Sequence, residues 1–209
     1  MNNSQSKICE LLKENYKNPK CELHFSTPFE LLVAVILSAQ CTDKRVNEVV
    51  KTLFVEANTP EAFAKMKQEE LEQKIKSCGF YRNKAKNIIS ASKDICLRFG
   101  SKVPQTQKEL ESLAGVGEKT ASVILAVAFN IPAIAVDTHV TRLSNRLGFV
   151  KNLNDPHKIC VELKKIIPVE DWIDFHYQLV LHGRYVCKAI NPNCQNCFLK
   201  GICPSCRGK

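Results

Sequence analysis

Five of the eleven cysteines crowd into one segment near the end of the chain, from Cys187 to Cys206. Four of them have the spacing C-x6-C-x2-C-x5-C, at Cys187, Cys194, Cys197 and Cys203. Four thiols so close in sequence can converge only in a compact, loop-rich knot, and such spacing favours metal ligation over a chance arrangement. The segment is therefore predicted to fold around a metal centre.

Two ligand sets are compatible with this spacing. Cys194, Cys197, Cys203 and Cys206 would form two C-x2-C pairs, as in many zinc sites, although five residues between the pairs is short. Cys187, Cys194, Cys197 and Cys203 would instead suit an iron–sulfur cluster and leave Cys206 spare. The spacing alone does not decide between the two metals.

The pattern in the rest of the chain is helical almost throughout. Thr27-Pro28-Phe29-Glu30 predicts a capping box with proline at the first helical position, at the start of an apolar helix. Alternating apolar and polar residues between Asn-Gly or Asp-Gly turns, which would indicate β-hairpins, do not occur over any useful length. We therefore predict an all-α protein.

The composition restricts the class of protein. The 209 residues suffice for one large domain or two small ones. The net charge of +9 is spread along the whole chain, which suits a polyanionic partner such as nucleic acid. The apolar runs are too short to span a bilayer and no secretory signal is visible, so a cytoplasmic protein without disulfides is expected. Six isolated cysteines are then expected to be small, buried apolar side chains: Cys9, Cys21, Cys41, Cys78, Cys96 and Cys160.

A glycine-rich turn precedes Lys119 in the stretch LAGVGEKTASVIL. A P-loop does not fit, because Glu118 stands where that motif needs glycine before Lys-Thr. The pattern instead predicts a helix from Lys108 to Leu113, a tight turn at Gly115-Val116-Gly117 and a second helix from Glu118 onward.

Such a turn has two chemical uses. Backbone N–H groups at the start of the second helix can approach a nucleic-acid phosphate closely, because glycine carries no side chain. Lys119 lies in the first helical turn, where the helix dipole disfavours a second positive charge and so favours a neutral, nucleophilic amine. The alternative is an ordinary solvated lysine at a helix start.

Asp137, in the stretch AIAVDTHVTRL, follows an apolar segment and precedes another predicted helix. It is expected to cap that helix. A carboxylate fixed at this position is also well placed to accept a proton or to stabilise a cationic transition state.

Taken together, these stretches resemble the helix-hairpin-helix DNA glycosylases. LAGVGEKTASVIL is similar to the hairpin that carries the family's catalytic lysine, and VDTHVTRLSNRLG is similar to the segment with its catalytic aspartate. LHGRYVCKAINPNCQNCFLKGIC is similar to the iron–sulfur signature, and STPFELLVAVILSAQCTD to the first long helix. The resemblance covers almost the whole chain, in the order of the family.

The resemblance implies two helical domains with DNA in the cleft between them. One domain would span residues 22–131, with the helix-hairpin-helix motif at about 106–126, and the other would combine residues 1–21 and 132–209. It also implies a 4Fe–4S cluster, rather than zinc, on four cysteines in the segment 187–203: Cys187, Cys194, Cys197 and Cys203.

The activity that the resemblance implies is base-excision repair of duplex DNA with oxidised pyrimidines. Lys119 would attack the anomeric carbon of the damaged nucleotide, expel the base and form a Schiff base with the opened sugar. β-Elimination would then cut the strand on the 3′ side. Asp137 would stabilise positive charge at the sugar and take up a proton.

Further residues match DNA-contacting positions of the family. Gln40 matches the position that fills the gap left by a flipped base. Phe80 matches the wedge in the base stack, with a buried aromatic at a helix end as the alternative. Lys188 matches a loop that meets the DNA backbone, with a solvated lysine as the alternative. The remaining predicted DNA-binding residues are in the hairpin and after the aspartate: Gly115, Val116, Gly117 and His139.

Two other functions stay open on the sequence alone. A monofunctional mismatch glycosylase shares the hairpin, the aspartate and the cluster but lacks a lysine at the position of Lys119. A non-enzymatic iron–sulfur protein that binds DNA or senses redox state is the second. The expected partner is double-stranded DNA with damaged pyrimidines or abasic sites, and the expected oligomeric state is a monomer.

Overall fold

The computed structural model describes residues 2–206 and contains no β-strand in that range, which confirms the predicted all-α class. Its helices are α1 (Asn3–Asn15), α2 (Pro28–Ser38), α3 (Asp43–Glu56), α4 (Pro60–Lys65), α5 (Gln68–Ile75), α6 (Tyr81–Phe99), α7 (Gln107–Glu111), α8 (Glu118–Phe129), α9 (Thr138–Arg146), α10 (Pro156–Ile166) and α11 (Trp172–Tyr185). Two 3₁₀ helices, Lys76–Cys78 and Val169–Asp171, complete the set.

The chain divides into two compact units. One is continuous, from Glu22 to Ile131, and holds α2 to α8. The other combines the described residues up to Cys21 with those from Pro132 onward, and holds α1 and α9 to α11. Lys119 belongs to the first unit, whereas Asp137 and the C-terminal cysteines belong to the second.

The centre of the Glu22–Ile131 unit is α2, in which every residue from Phe29 to Leu37 is buried. A helix that is apolar on all sides must be covered on all sides, and α2 packs against α3, α6 and α8. Thr27 caps it by accepting the N–H of Glu30 at 3.1 Å. The predicted capping box is wrong in one detail, because the Glu30 carboxylate accepts the N–H of Ser26 at 2.5 Å rather than that of Thr27.

The second unit has its own apolar core, formed by α1 and by α9 to α11. Ile8 and Leu12 from α1 are fully buried in it beside Val140, Leu143 and other side chains of the later helices. The N-terminal helix is therefore part of a core that is otherwise built from the last third of the chain.

The isolated cysteines are less buried than the sequence suggested. Cys78 and Cys160 are buried, as predicted. The prediction is wrong for the other four, which are half-buried: Cys9, Cys21, Cys41 and Cys96. Among the described helices, none combines the length and the apolar character needed to cross a membrane.

Candidate active site and metal centre

The turn before Lys119 closes as a tight loop between α7 and α8. Gly115 has φ of +79°, a backbone conformation that favours glycine, and a Cβ there would lie 2.9 Å from Cβ of Asn87. Val116 is buried and its N–H donates to the carbonyl of Leu113 at 3.1 Å. The side chain of Val116 thus anchors the turn, while Gly115 and Gly117 on either side of it are exposed.

The helix that follows begins with an open end. Gly117 is the N-cap residue of α8, and no side chain caps the first turn. Lys119 is the second residue of this helix and is exposed. An uncapped helix start attracts anions through its N–H groups and dipole. The hairpin therefore presents an amine and an uncapped helix start within the same helical turn.

Asp137 caps α9, as the sequence predicts. Its Oδ1 accepts the N–H groups of His139 and Val140, each at 2.8 Å. Both bonds fall on one carboxylate oxygen, so Oδ2 takes no part in the cap. The side chain is half-buried and lines an open cavity together with polar side chains of α9, among them Thr138, Arg142 and Asn145. This geometry fixes the carboxylate while one oxygen can still face a substrate.

His139 lies two residues after Asp137 and contacts Arg142. Nη2 of Arg142 lies 3.2 Å from Nδ1 of His139 and donates to the carbonyl of Gly183 at 2.8 Å. A guanidinium can only donate, so this contact is a hydrogen bond in the tautomer that leaves Nδ1 of His139 unprotonated. Burial lowers the pKa of His139, and the positive charges of Arg142 and Arg184 lower it further, whereas Asp137 and a hydrogen bond to the backbone of Gly183 oppose them.

Gln40 and Phe80 are both exposed and both strained. Their φ angles are +52° and +46°, in the left-handed region that non-glycine residues rarely adopt. Phe80 is the residue before α6 and is 63% exposed, so the alternative of a buried aromatic at a helix end is wrong. Strain of this kind persists where the surrounding structure enforces it and is frequent at functional sites.

The four cysteines of the predicted cluster line one cavity. Leu147, Leu199 and the buried ring of His182 form part of the same wall, which gives the thiols a partly apolar surrounding. Burial raises the pKa of the Cys197 and Cys203 thiols, and neighbouring thiols raise it further. Four soft sulfur donors around one cavity are the donor set that an iron–sulfur cluster uses.

Polar groups also reach these sulfurs. The backbone N–H of Leu199 donates to Sγ of Cys197 at 3.4 Å, and Nη1 of Arg146 donates to Sγ of Cys187 at 3.3 Å. Cys206 lines the same cavity, so both ligand sets considered above are present around it. Over residues 2–206, no three His, Cys, Asp or Glu side chains converge closely enough to hold a single metal ion, so the five thiols line a cavity without forming a mononuclear site.

Two arginines that the sequence reasoning did not single out hold the loop of Lys188. Nη1 of Arg146 donates to the carbonyl of Lys188 at 2.8 Å, and Nε of Arg142 donates to that of Cys187 at 3.1 Å. They stand four residues apart and therefore on one face of α9. This spacing of two arginines, on the helix that follows Asp137, is the sequence signal by which they could have been found. Lys188 itself is exposed.

Comparison with known proteins identifies the family. Residues 33–169 match the family model described as HhH-GPD superfamily base excision DNA repair protein. The chain belongs to the HhH-GPD superfamily. Endonuclease III of Bacillus subtilis (strain 168) is 48% identical over 204 residues, which cover 97% of this chain and 93% of that protein.

Solved structures of superfamily members agree with this assignment. An endonuclease III in a non-covalent complex with DNA superposes with a TM-score of 0.93 at 44% identity, over 99% of this chain and 98% of that one. A trapped covalent intermediate of endonuclease III with DNA matches equally well, with the same TM-score, identity and coverage. The predicted resemblance to the helix-hairpin-helix DNA glycosylases is confirmed, and within that family the chain is similar to endonuclease III. The roles of individual residues stay predictions.

Proposed function

We propose that this protein is a base-excision repair enzyme that removes oxidised pyrimidines from duplex DNA and then cleaves the strand at the abasic site. The observation that carries the proposal is the exposed Lys119 in the uncapped first turn of α8, directly after the Gly115–Gly117 turn. The likeness to an endonuclease III that was trapped covalently on DNA supports it.

In the proposed reaction, Nζ of Lys119 attacks the anomeric carbon C1′ of the damaged nucleotide as a neutral amine. The bond between C1′ and the base breaks, and the electron pair leaves with the base. Opening of the sugar ring gives a Schiff base between C1′ and Nζ. Loss of a proton from C2′ then expels the 3′ phosphate by β-elimination, and hydrolysis returns the lysine.

Asp137 acts on the same sugar in this proposal. A fixed carboxylate stabilises the positive charge that develops at C1′ as the base departs, and it takes up a proton when Lys119 becomes bonded. The cap on α9 uses only Oδ1. Oδ2 is accordingly assigned to the substrate, without loss of the orientation that the cap provides.

Binding of DNA is assigned to the remaining predicted residues. A base inside a duplex must be extruded before this chemistry, since C1′ is otherwise shielded by the stack. The exposed Phe80 would enter the stack and Gln40 would fill the gap. Phosphates would be held by the exposed Lys188, by His139 in the first turn of α9, and by the hairpin turn: Gly115, Val116 and Gly117.

A 4Fe–4S cluster on Cys187, Cys194, Cys197 and Cys203 forms part of the proposal. The four thiols line one cavity, and the Leu199 N–H and Arg146 guanidinium donate to their sulfurs. When bound, the cluster would tie the C-terminal loop to α9 and α11 and so present Lys188. The enzyme is proposed to act in the cytoplasm. It is proposed to bind damaged or abasic duplex DNA as a monomer.

Borohydride trapping tests the proposal. The wild type, Lys119→Gln and the matched control Lys108→Gln, an exposed lysine on α7 of the same hairpin, are incubated with a duplex carrying one oxidised pyrimidine. A covalent adduct with the wild type and the control, but not with Lys119→Gln, is the expected result. Base release without an adduct would indicate a monofunctional glycosylase. Neither adduct nor base release, with DNA binding intact, would indicate a binding protein.

A further inference from the structure

Lys84, on α6, is a buried lysine in the Glu22–Ile131 unit. Its exposure is 5%, and its Nζ donates to the carbonyls of Leu37 and Cys78, each at 2.8 Å. Burial lowers the pKa of Lys84. A lysine removed from water needs compensating polar partners, and here those partners are two backbone carbonyls from separate parts of the chain.

Both carbonyls stand at ends of helices. Leu37 is in the last turn of α2 and Cys78 is the last residue of the 3₁₀ helix Lys76–Cys78. The carbonyls of a last helical turn lack partners within the helix and carry the negative end of the dipole. One ammonium group therefore closes two helix ends at the same time.

A residue with a strained backbone conformation follows each of these two helix ends within three positions. Gln40 follows Leu37 by three positions, and Phe80 follows Cys78 by two. Both have positive φ, and both are exposed. Because the left-handed conformation is unfavourable for these residue types, the neighbouring backbone has to be held in place for it to persist.

The Cys78 thiol beside Lys84 does not neutralise it. Cys41, next to Gln40, is hydrogen-bonded to Cys78. Burial raises the pKa of the Cys78 thiol, and Cys41 raises it further, whereas Lys84 opposes them. Cys78 is accordingly a neutral thiol at neutral pH. The charge of Lys84 is met by the two carbonyls, which gives both segments a charge-assisted bond.

We infer that Lys84 is a positioning residue that holds the Gln40 segment and the Phe80 segment in one fixed arrangement. The inference rests on the proposed function for its consequence: a gap-filling side chain and a wedge can act on the same base pair only if their spacing is fixed. A single ammonium bonded to both segments fixes it, and misplacement by about 1 Å can slow an enzyme by about a hundredfold.

Hydrogen–deuterium exchange tests the structural part of this inference. Lys84→Met keeps the chain length and removes the charge, and Ile88→Ala, a fully buried residue on the same helix, serves as the control for lost stability. Residues 38–42 and 78–82 should both exchange faster in Lys84→Met than in Ile88→Ala. Faster exchange in only one segment, or an equal change in both variants, would overturn the inference.

Kinetics test the consequence. Single-turnover excision of an oxidised pyrimidine should slow by about tenfold or more in Lys84→Met. Cleavage of a preformed abasic site, where no base has to leave the stack, should change less than about twofold. Equal slowing of both steps, matched by Ile88→Ala, would mean a purely structural role and overturn the inference. If the wild type released no base, the proposed function would fail, while the exchange data would still decide the role of Lys84.

Discussion

The helices α8 and α9 begin in opposite ways. The N-cap residue of α8 is Gly117, and no side chain caps its first turn. The N-cap residue of α9 is Asp137, whose Oδ1 takes two backbone N–H groups at 2.8 Å. Both helices present the positive end of a dipole. In α8 no side chain caps it, which is where the proposed function places a DNA phosphate, whereas in α9 the protein occupies it with its own carboxylate.

The difference indicates how one local element can serve two chemical purposes. An open helix start can bind an anion from outside through its N–H groups. A closed start has two of its N–H groups bonded to the capping carboxylate, and the cap fixes the direction of that carboxylate. The proposed nucleophile and the proposed charge stabiliser thus stand at helix starts of opposite type.

The largest expected effect comes from removing the charge of Asp137 while keeping the cap. Asparagine caps a helix as well as aspartate does, so Asp137→Asn should leave the free energy of unfolding nearly unchanged. Its excision rate should fall by about 10²- to 10⁴-fold, because the amide cannot stabilise positive charge or take up a proton. Single-turnover excision and urea unfolding measure the two quantities.

Asp137→Ala provides the control for this comparison. It should lose the same factor in rate and also about 1 kcal/mol of stability, because the cap is gone. A normal excision rate in Asp137→Asn would show that the carboxylate serves only as a cap. The contrast between the two helix starts would then be structural and not chemical.

An effect of intermediate size is expected from the two glycines of the hairpin. Gly117 has φ of −97°, and a Cβ added there would meet no atom within 4 Å, so Gly117→Ala should fold normally. Its methyl group would nevertheless stand at the open start of α8. We expect binding to a duplex with an abasic analogue to weaken by about tenfold, or about 1.4 kcal/mol.

Gly115→Ala should behave differently, although it is only two residues away. Its φ is +79° and the new Cβ would lie 2.9 Å from Cβ of Asn87. The variant should lose about 1–2 kcal/mol of stability through backbone strain alone. Thermal unfolding and fluorescence anisotropy separate the two variants. Unchanged DNA affinity in Gly117→Ala would argue that α8 does not bind phosphate.

Much of this contrast could be predicted from the sequence. Gly115-Val116-Gly117 before Glu118 predicts the hairpin and the start of α8, and Asp137 before Thr138 predicts the cap of α9. These are local features, set by one or two residues and their backbone preferences. The all-α class follows from the same kind of information, whereas the helix predicted from Lys108 to Leu113 is wrong in its bounds, because α7 runs from Gln107 to Glu111.

Long-range contacts could not be predicted in this way. No sequence pattern pairs Lys84 with the carbonyl of Leu37, 47 residues earlier, because any lysine on α6 has the same local signal. Whether Phe80 is buried or exposed could not be predicted for a similar reason, because it depends on whether other segments of the chain pack over the side chain. The arginines of α9 had a signal in their spacing, but their acceptors lie more than 40 residues away.

The smallest expected effect concerns pH and the closed start of α9. The pKa of His139 in the folded protein lies below its ordinary value of 6.5, chiefly because of burial, so the unfolded chain takes up a proton first as the pH falls. The contribution of His139 to the free energy of unfolding is therefore fully present above pH 6.5. It should decrease as the pH falls below 6.5 toward the lowered pKa of the folded protein. His139→Gln, which does not titrate, should lack this contribution.

The reason for this pH dependence is visible in the contacts of His139. Protonation of Nδ1 would place a hydrogen against the Nη2 donor of Arg142, and it would add a positive charge beside Arg142 and Arg184. Asp137 offsets part of this cost. Urea unfolding of the wild type and His139→Gln between about pH 7 and about pH 5 gives the difference directly. An equal pH dependence of the free energy of unfolding in the two proteins would contradict a lowered pKa of His139. It would mean that protonated His139 is as favourable at the start of α9 as it is in water.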